Sequence, residues 1–262
     1  MQSQKCVYLV GTGPGDPELL TVKALRLIQS ADVIVYDRLV SAEIIDLIPA
    51  GVARIYVGKQ TGKHTLNQDQ INELLVRLAQ SNRSVVRLKG GDPLVFGRGS
   101  EEALHLSRQH LCFEIVPGIT SASACTTYAG IPLTHRGLAN QVHILTGHCR
   151  EDAPLDYDWS ALAKTDSTLV VYMGLAQIDQ IAQQLIAHGL PAQTPAAAIE
   201  QGTTLQQRVC ISNIAELAEQ VLRLQFQAPV MFVIGEVVSL ADELDWFIPQ
   251  REGLHAEATR KA

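Results

Sequence analysis

The sequence lacks any hydrophobic run long enough to cross a membrane, for which about 18 residues are needed. It also lacks the apolar core of a signal peptide, because Lys5 is followed directly by a short strand-like segment at residues 7–10. We therefore expect a cytoplasmic protein without membrane contact. Aromatic residues are scarce, at 5%, but 47% hydrophobic and 18% charged residues are ordinary for a soluble enzyme. The 262 residues leave room for one large or two medium domains.

Paired cysteines and metal-binding motifs are also missing. The five cysteines are an odd number and contain no C-x-x-C pair, so they indicate neither a disulfide framework nor a zinc knuckle. We expect them to be free buried thiols. The eight histidines form no H-E-x-x-H motif, and no metal is predicted.

The usual motifs for phosphate binding and for nucleophilic serine are absent as well. There is no G-x-x-x-x-G-K-[ST] and no G-x-S-x-G, which argues against a P-loop and a hydrolase. The segment at residues 11–16 follows a strand, as the dinucleotide fingerprint does, but Asp16 occupies the place of the third glycine. Pro14 also removes an N–H from the phosphate cradle, so a nicotinamide cofactor is disfavoured.

Positive charge is scarce in the second half of the chain. Residues 1–136 carry 14 basic and 12 acidic side chains, whereas residues 137–262 carry 7 and 15. Because no extended basic stripe is present, nucleic acid is not an expected partner. The cations of the first half are either scattered surface charges or a local site for an anionic small molecule.

The main positive signal is a glycine-rich loop that follows an apolar strand within residues 85–99. Gly90 and Gly91 permit backbone conformations closed to other residues and let a ligand approach the main chain closely. Asp92 and Arg98 add a hydrogen-bond acceptor and a cation. The loop is predicted to be a binding surface, and the alternative is a plain connection in an α/β protein.

Strand and helix patterns alternate along the whole chain, which indicates an α/β fold. Residues 133–140 lack apolar periodicity and separate two such patterns. We predict two α/β domains with a ligand cleft between them. The N-terminal domain covers residues 1–136 with a largely parallel sheet, the C-terminal domain covers residues 137–248, and residues 249–262 form a polar tail.

Four polar residues are predicted to converge at one edge of the first sheet. Asp16, Asp37, Lys59 and Asp92 each follow a strand, and ligands of open parallel sheets bind beyond the carboxyl ends of the strands. A ligand that lacks phosphates and is held by glycine-rich backbone between two α/β domains fits this arrangement. S-adenosylmethionine is such a ligand.

Nine successive motifs resemble those of the uroporphyrinogen-III C-methyltransferases, a group within the tetrapyrrole methylases. Their order and spacing match, and together they cover nearly all of residues 5–247. They are VGTGPGD (10–16), VYDRLVS (35–41), VGK (57–59), RLKGGDPLVFGRG (87–99), VPGITS (116–121), GIPLTHR (130–136), TGH (146–148), YMG (172–174) and IEQGTTLQQ (199–207).

The resemblance implies a set of site residues. Asp37 is implied as proton acceptor and Lys59 as proton donor; alternatively, Asp37 pairs with Arg38 and Lys59 only holds a substrate carboxylate. The methyl donor is implied to contact Pro14, Gly90, Gly91, Asp92, Val95, Thr120, Ser121, Met173 and Gly202.

The resemblance also implies the reaction. S-adenosylmethionine would methylate uroporphyrinogen III at C2 and C7, giving precorrin-2 through precorrin-1 and releasing S-adenosylhomocysteine, in an enzyme that is usually a homodimer. Since the substrate carries eight carboxylates, Arg38, Lys63, Arg98 and Arg136 are predicted to bind it. Two alternatives stay open: a methylase of a later precorrin, and a tetrapyrrole carrier that transfers no methyl group.

Overall fold

The computed structural model describes residues 6–58, 66–81, 83–148 and 155–248. Two five-stranded sheets follow one another along these residues. The strands are β1 (Val7–Gly11), β2 (Val33–Tyr36), β3 (Ala53–Tyr56), β4 (Val85–Lys89), β5 (Phe113–Val116), β6 (Gln141–Thr146), β7 (Ser167–Tyr172), β8 (Pro195–Glu200), β9 (Arg208–Asn213) and β10 (Val230–Ile234). The α-helices are α1 (Val22–Ser30), α2 (Ala42–Asp46), α3 (Gln68–Gln80), α4 (Gly99–Arg108), α5 (Ser121–Tyr128), α6 (Trp159–Leu162), α7 (Ile178–Ala187) and α8 (Leu217–Arg223).

The first sheet is entirely parallel, with strand order β3-β2-β4-β1-β5. Its central strands are buried on both faces and mostly apolar, which is typical of a parallel sheet covered on both sides. Ile34 and Leu88 pack on one face with α1 and α2. Leu9 and Val35 pack on the other face with α3 and α4. Because all five strands run in the same direction, the loops that follow them lie at the same edge of the sheet.

The second sheet is mixed, with strand order β6-β7-β10-β8-β9. Only β6 and β7 are parallel, and the other neighbours are antiparallel. Phe232 of β10 is fully buried in a core with α7 and α8. The opposite face is covered by α5 and by the 3₁₀ helix Glu236–Leu240. Because α5 precedes the predicted boundary after residue 136 but packs on the second sheet, it connects the two halves; the boundary itself stays a prediction.

The first helix begins later than the apolar spacing indicates. The pattern predicts one helix with Glu18 in its first turn, whereas the structure has a 3₁₀ helix at Pro17–Leu19 and then α1. The break arises because Thr21 caps a new helix, its Oγ1 accepting a hydrogen bond from Ala24 N at 3.1 Å. Asn67 precedes an apolar helical pattern and is therefore predicted to cap α3. The structure confirms this cap, since Asn67 and Gln70 form a reciprocal capping box.

The expectation of free thiols is wrong for two cysteines. Cys6 and Cys112 form a disulfide with their Cα atoms 4.7 Å apart. They precede β1 and β5, which are neighbours in the sheet although the two cysteines are 106 residues apart in the chain. Only the strand order, not the cysteine spacing, reveals that proximity. Cys125 and Cys210 are free and buried, as expected, and Cys149 lies outside the described residues.

Within the described residues, no helix has the length and apolar character needed to cross a membrane.

Candidate active site

Three glycines bring together the loops that follow β1, β4 and β5. Gly91 N donates to Gly13 O at 2.7 Å, and Gly13 N donates to Gly91 O at 3.2 Å. A Cβ added to Gly118 would overlap Gly91 O and lie 2.8 Å from Gly11 Cα. Side chains are therefore excluded where the three loops meet, and the backbone itself forms this part of the sheet edge.

Asp92 braces the loop that follows β4. Its Oδ1 accepts a hydrogen bond from Leu94 N at 2.8 Å, and its Oδ2 accepts one from Gly118 N at 3.1 Å. Gly90 is equally constrained, because an added Cβ would lie 2.7 Å from Leu39 Cβ. Val95 N contacts Asp92 O at 3.4 Å and completes a tight turn. The structure thus places the predicted residues Gly90, Asp92 and Val95 in one rigid loop.

Tyr172, at the end of β7, joins the second sheet to this loop region. Its hydroxyl lies 2.5 Å from Thr120 Oγ1 and accepts a hydrogen bond from Ala122 N at 2.7 Å. Its ring centroid lies 5.2 Å from that of Phe96. Burial raises the pKa of Tyr172, so the phenol stays protonated. Met173 follows with a positive φ of 53° and is half-exposed, so the predicted residues Thr120 and Met173 lie in the same region.

Replacing Tyr172 by phenylalanine is expected to lower the free energy of unfolding by about 1–3 kcal/mol, because the buried Ala122 N–H loses its acceptor. Urea denaturation measures this loss. The matched control is Tyr8→Phe, since the Tyr8 hydroxyl has no hydrogen-bond partner among the described residues. Equal losses in both variants would contradict a bracing role for the Tyr172 hydroxyl.

The loop after β8, in the second sheet, contacts both α5 and the loop after β1. A Cβ added to Gly202 would lie 2.8 Å from Cys125 Cβ, so this loop packs tightly on α5. Thr203 Oγ1 accepts a hydrogen bond from Asp16 N at 3.2 Å. Asp16 Oδ2 accepts another from Tyr128 of α5 at 2.7 Å. Because Pro14 lies two residues before Asp16, the loop that carries it is fixed against the second sheet.

Ser121, the remaining residue predicted to contact the methyl donor, is the first residue of α5. A Cβ added to Gly91 would lie 3.4 Å from Ser121 Oγ. The nine residues predicted to contact the methyl donor therefore lie on loops and helix ends that contact one another. Some of these contacts are made at the junction of Gly13, Gly91 and Gly118, and the others are made through α5.

Asp37 follows β2 and has both carboxylate oxygens engaged. Oδ1 accepts a hydrogen bond from Leu39 N at 3.0 Å, and Oδ2 accepts one from Arg87 Nη2 at 2.8 Å. The hypothesis of an Asp37–Arg38 pair is therefore wrong. Arg87 lies on the neighbouring strand β4, level with Val35 of β2. Its side chain reaches Asp37, which follows Val35 by two residues.

The predicted substrate-binding cations differ in their environments. Arg98 pairs with Glu101 through two hydrogen bonds, Nε to Oε1 at 2.8 Å and Nη2 to Oε2 at 2.7 Å, and this pairing raises the pKa of Arg98. Arg38 and Arg136 are exposed, and neither makes a hydrogen bond or ion pair with another described residue. Lys59 and Lys63 lie outside the described residues.

Exposed apolar side chains occur on loops at this edge of the first sheet and at the end of β7. They are Leu39, Leu94, Phe96, Ile119 and Met173.

A separate surface cavity of about 440 Å³ lies beside β9, lined by Gln207, Arg208, Phe226 and Phe247 among others, and it does not include the glycine-rich loops. Among the described residues, no group of histidine, cysteine or acidic side chains could hold a metal ion.

The family model of the tetrapyrrole (corrin/porphyrin) methylases matches residues 6–218. The chain belongs to the tetrapyrrole methylases.

This methylase is 41% identical to a uroporphyrin III C-methyl transferase from Thermus thermophilus, with a TM-score of 0.77, over 89% of this chain and 99% of that one. A second structure of the Thermus thermophilus enzyme, complexed with S-adenyl homocysteine, is also 41% identical, with a TM-score of 0.76, over 89% of this chain and 93% of that one. A siroheme synthase from Azotobacter vinelandii is 55% identical over 92% of this chain and 52% of that protein. This methylase thus spans about half the length of the curated relatives it matches.

Sequence reasoning missed one group of residues in this methylase. Arg87, Lys89 and Glu102 are buried. Arg87 forms ion pairs with Asp37 and Glu102, and Lys89 forms one with Glu102. A signal for them exists in the sequence: two cations at alternate positions of an otherwise apolar strand share one face and need partners there. Tyr172 was also missed as a brace of α5, and no local pattern indicates that contact.

Proposed function

We propose that this methylase transfers methyl groups from S-adenosylmethionine to C2 and C7 of uroporphyrinogen III, giving precorrin-2 through precorrin-1. The observation that carries the proposal is the junction of three glycine-rich loops from the first sheet with α5 and the end of β7. Support comes from the uroporphyrin III C-methyl transferase of Thermus thermophilus, which matches 89% of this chain over 99% of its own length.

The donor is proposed to bind in a cleft at that junction. When bound, S-adenosylmethionine supplies a methyl group already activated by its sulfonium. Gly90 and Gly91 place bare main chain at the binding surface, and Asp92 keeps their loop in one conformation through its two hydrogen bonds. The half-exposed Met173 and Phe96 offer apolar surface. This combination fits a ligand with a large apolar part and no phosphates, and a relative is known in complex with S-adenyl homocysteine.

The substrate is proposed to bind through exposed cations, of which Arg38 follows β2 at the ligand edge of the first sheet. Arg38 and Arg136 have their guanidinium groups available among the described residues, so they can receive carboxylates in bidentate fashion. Arg98 would share its guanidinium between Glu101 and a substrate carboxylate. Lys59 and Lys63 are proposed to contribute further positive charge.

Asp37 is proposed to accept the proton that the pyrrole loses after attack on the methyl group. The carboxylate is partly exposed, with 24% of the side chain accessible, and it lies at the end of β2 on the ligand edge of the sheet. Methyl transfer itself needs mainly that carbon and methyl be held in attack geometry without competing water. Lys59 is the proposed proton donor.

The experiment is transfer of isotope-labelled methyl from S-adenosylmethionine to uroporphyrinogen III by the purified chain without oxygen. We expect two labelled methyl groups per tetrapyrrole and uptake of S-adenosylhomocysteine in calorimetry. Absence of any S-adenosylhomocysteine uptake would contradict the proposal. Tetrapyrrole binding without transfer would favour a carrier, and labelling only of methylated precorrins would favour a later methylase of the pathway.

The proposal covers methylation for siroheme-type or cobalamin-type tetrapyrroles and not the other reactions of a whole siroheme synthase, since this chain matches about half of that protein. A homodimer and a cytoplasmic location are part of the proposal and rest on the family resemblance and on sequence composition.

A further inference from the structure

We infer that Glu102 and Lys89 are positioning residues, which hold the Arg87 guanidinium in the orientation that fixes the Asp37 carboxylate. This inference deepens the proposed function and rests on it for the role of Asp37. The four residues form one charge cluster, called here the Glu102 cluster: Asp37, Arg87, Lys89 and Glu102. Two cations and two carboxylates make the cluster formally neutral.

The Glu102 cluster is centred on a single carboxylate oxygen. Glu102 Oε1 accepts hydrogen bonds from Lys89 Nζ at 2.9 Å, from Arg87 Nε at 3.3 Å and from Gln68 Nε2 at 3.3 Å. The side chains of Glu102, Arg87 and Lys89 are 0%, 4% and 6% exposed. Glu102 Oε2 has no hydrogen-bond partner among the described residues. Such a costly arrangement of buried charges needs explanation beyond packing, because an apolar core would serve stability at least as well.

Strand geometry explains why these residues meet. Arg87 and Lys89 alternate with the apolar side chains of β4 and so point to the face covered by α3 and α4. Glu102 lies in the first turn of α4, and Gln68 begins α3. Because the glycine-rich loop connects β4 to α4, the Glu102 carboxylate at the start of α4 lies beside Arg87 and Lys89 of β4.

Arg87 has every nitrogen of its guanidinium engaged. Nη1 donates to Leu88 O at 2.8 Å, Nε donates to Glu102 Oε1, and Nη2 donates to Asp37 Oδ2 at 2.8 Å. Because the guanidinium is planar and rigid, fixing Nε on Glu102 fixes the direction of Nη2. The Asp37 carboxylate, the one partly exposed member of the cluster, is then held by Arg87 on one oxygen and by Leu39 N on the other.

Lys89 and Arg87 would repel one another without Glu102 between them. Burial and the nearby Arg87 charge lower the pKa of Lys89, and Glu102 opposes that effect. Removing Glu102 alone would leave two buried cations facing one carboxylate, with Asp37 drawn toward both. A test of positioning must therefore remove one charge of each sign.

The test variant is Lys89→Met/Glu102→Leu, which leaves the Arg87–Asp37 pair neutral and replaces a buried ion pair by apolar side chains of similar size. The control is Lys23→Met/Glu114→Leu, which removes an ion pair between α1 and β5 outside the cluster. In nitrogen-15 NMR, the Arg87 Nε–H, assigned through its absence in Arg87→Lys, should exchange slowly in the wild type and in the control. In the test variant, this proton should exchange at least about 10-fold faster, because Nε loses its acceptor while Nη1 and Nη2 keep theirs.

The kinetic arm uses Asp37→Asn as a second background. We expect the test variant to lower kcat for methyl transfer by about 10–100-fold with KM and S-adenosylhomocysteine affinity unchanged. In the Asp37→Asn background, the same two substitutions should lower kcat no further, because their effect acts through Asp37.

Retained protection of the Arg87 Nε–H in the test variant would overturn the inference, and so would multiplicative losses of kcat in the Asp37→Asn background. The NMR arm needs no turnover. If the wild-type chain transferred no methyl group, the proposed function would fail, while the exchange data would still decide whether Glu102 and Lys89 position Arg87.

Discussion

Replacing Gly118 by valine is expected to weaken S-adenosylhomocysteine binding by about 100-fold or more, equivalent to about 2.8 kcal/mol. A Cβ at this position would overlap Gly91 O and approach the Gly11 backbone, so the loops after β1, β4 and β5 cannot keep their contacts. The Asp92 hydrogen bond to Gly118 N would be lost with them. Overpacking of this kind also lowers the free energy of unfolding, by about 1–3 kcal/mol. Isothermal calorimetry measures the affinity, and urea denaturation measures the stability.

The matched control for this substitution is Gly51→Ala. Gly51 has a positive φ of 91° and no atom within 4 Å of an added Cβ, so the substitution introduces backbone strain without a steric clash. It should lower the free energy of unfolding by about 1 kcal/mol and leave the affinity for S-adenosylhomocysteine unchanged. If Gly118→Val bound S-adenosylhomocysteine as tightly as Gly51→Ala does, the glycine junction would not form the donor site. Gly118→Ala provides a milder form of the same clash if the valine variant does not fold.

The elements that sequence reasoning located well are those whose local signals agree. Apolar runs predict strands over residues 113–116 and 230–234, and 3.6-residue periodicity predicts a helix over residues 178–187. The structure has these elements with the same bounds, because turn residues flank each of them. The start of the first helix was misplaced since Asp16 and Thr21 both act as caps, and the periodicity of the apolar residues runs through both. Periodicity reports which residues face the core, but caps decide where the backbone becomes helical.

The candidate site was predictable to the extent that it depends on strand ends. Parallel strands bring their following loops to one edge, and the loops of Asp16, Asp37 and Asp92 do follow β1, β2 and β4. The partner of Asp37 was not predictable in this way. Arg38 is its neighbour in sequence, whereas Arg87 becomes its neighbour only because β4 lies beside β2. Strand order is a property of the whole sheet and leaves no mark in a local pattern.

The same reason applies to Cys6 and Cys112 and to the contacts of Tyr172. Each joins residues that are distant in the chain, through the adjacency of β1 and β5 or of β7 and α5. The buried cations of β4 are a different case. Arg87 and Lys89 interrupt an apolar strand on one face, and this pattern indicates a buried counter-charge even before the fold is known. Glu102, on the helix that follows the loop, is where such a counter-charge would be sought.

Replacing Asp37 by asparagine is expected to lower kcat for methyl transfer by about 10²–10⁴-fold, the usual contribution of a positioned proton acceptor. The amide keeps the size of the side chain and an oxygen for Leu39 N, so the loop after β2 should retain its conformation, although Arg87 Nη2 loses its carboxylate partner. An amide cannot take up the proton that the pyrrole loses. Affinity for S-adenosylhomocysteine should stay at the wild-type value, because Asp37 is not among the residues predicted to contact the methyl donor.

The control for this substitution is Asp46→Asn, which changes an exposed carboxylate on α2 that has no partner among the described residues. Steady-state kinetics with uroporphyrinogen III distinguish the two roles considered for Asp37. A proton acceptor affects kcat, since its interaction is made only in the transition state, whereas a residue that merely binds the substrate affects KM and leaves kcat unchanged. A raised KM with wild-type kcat in Asp37→Asn would therefore assign Asp37 to substrate binding. It would also mean that the Glu102 cluster orients a binding group and not the proton acceptor.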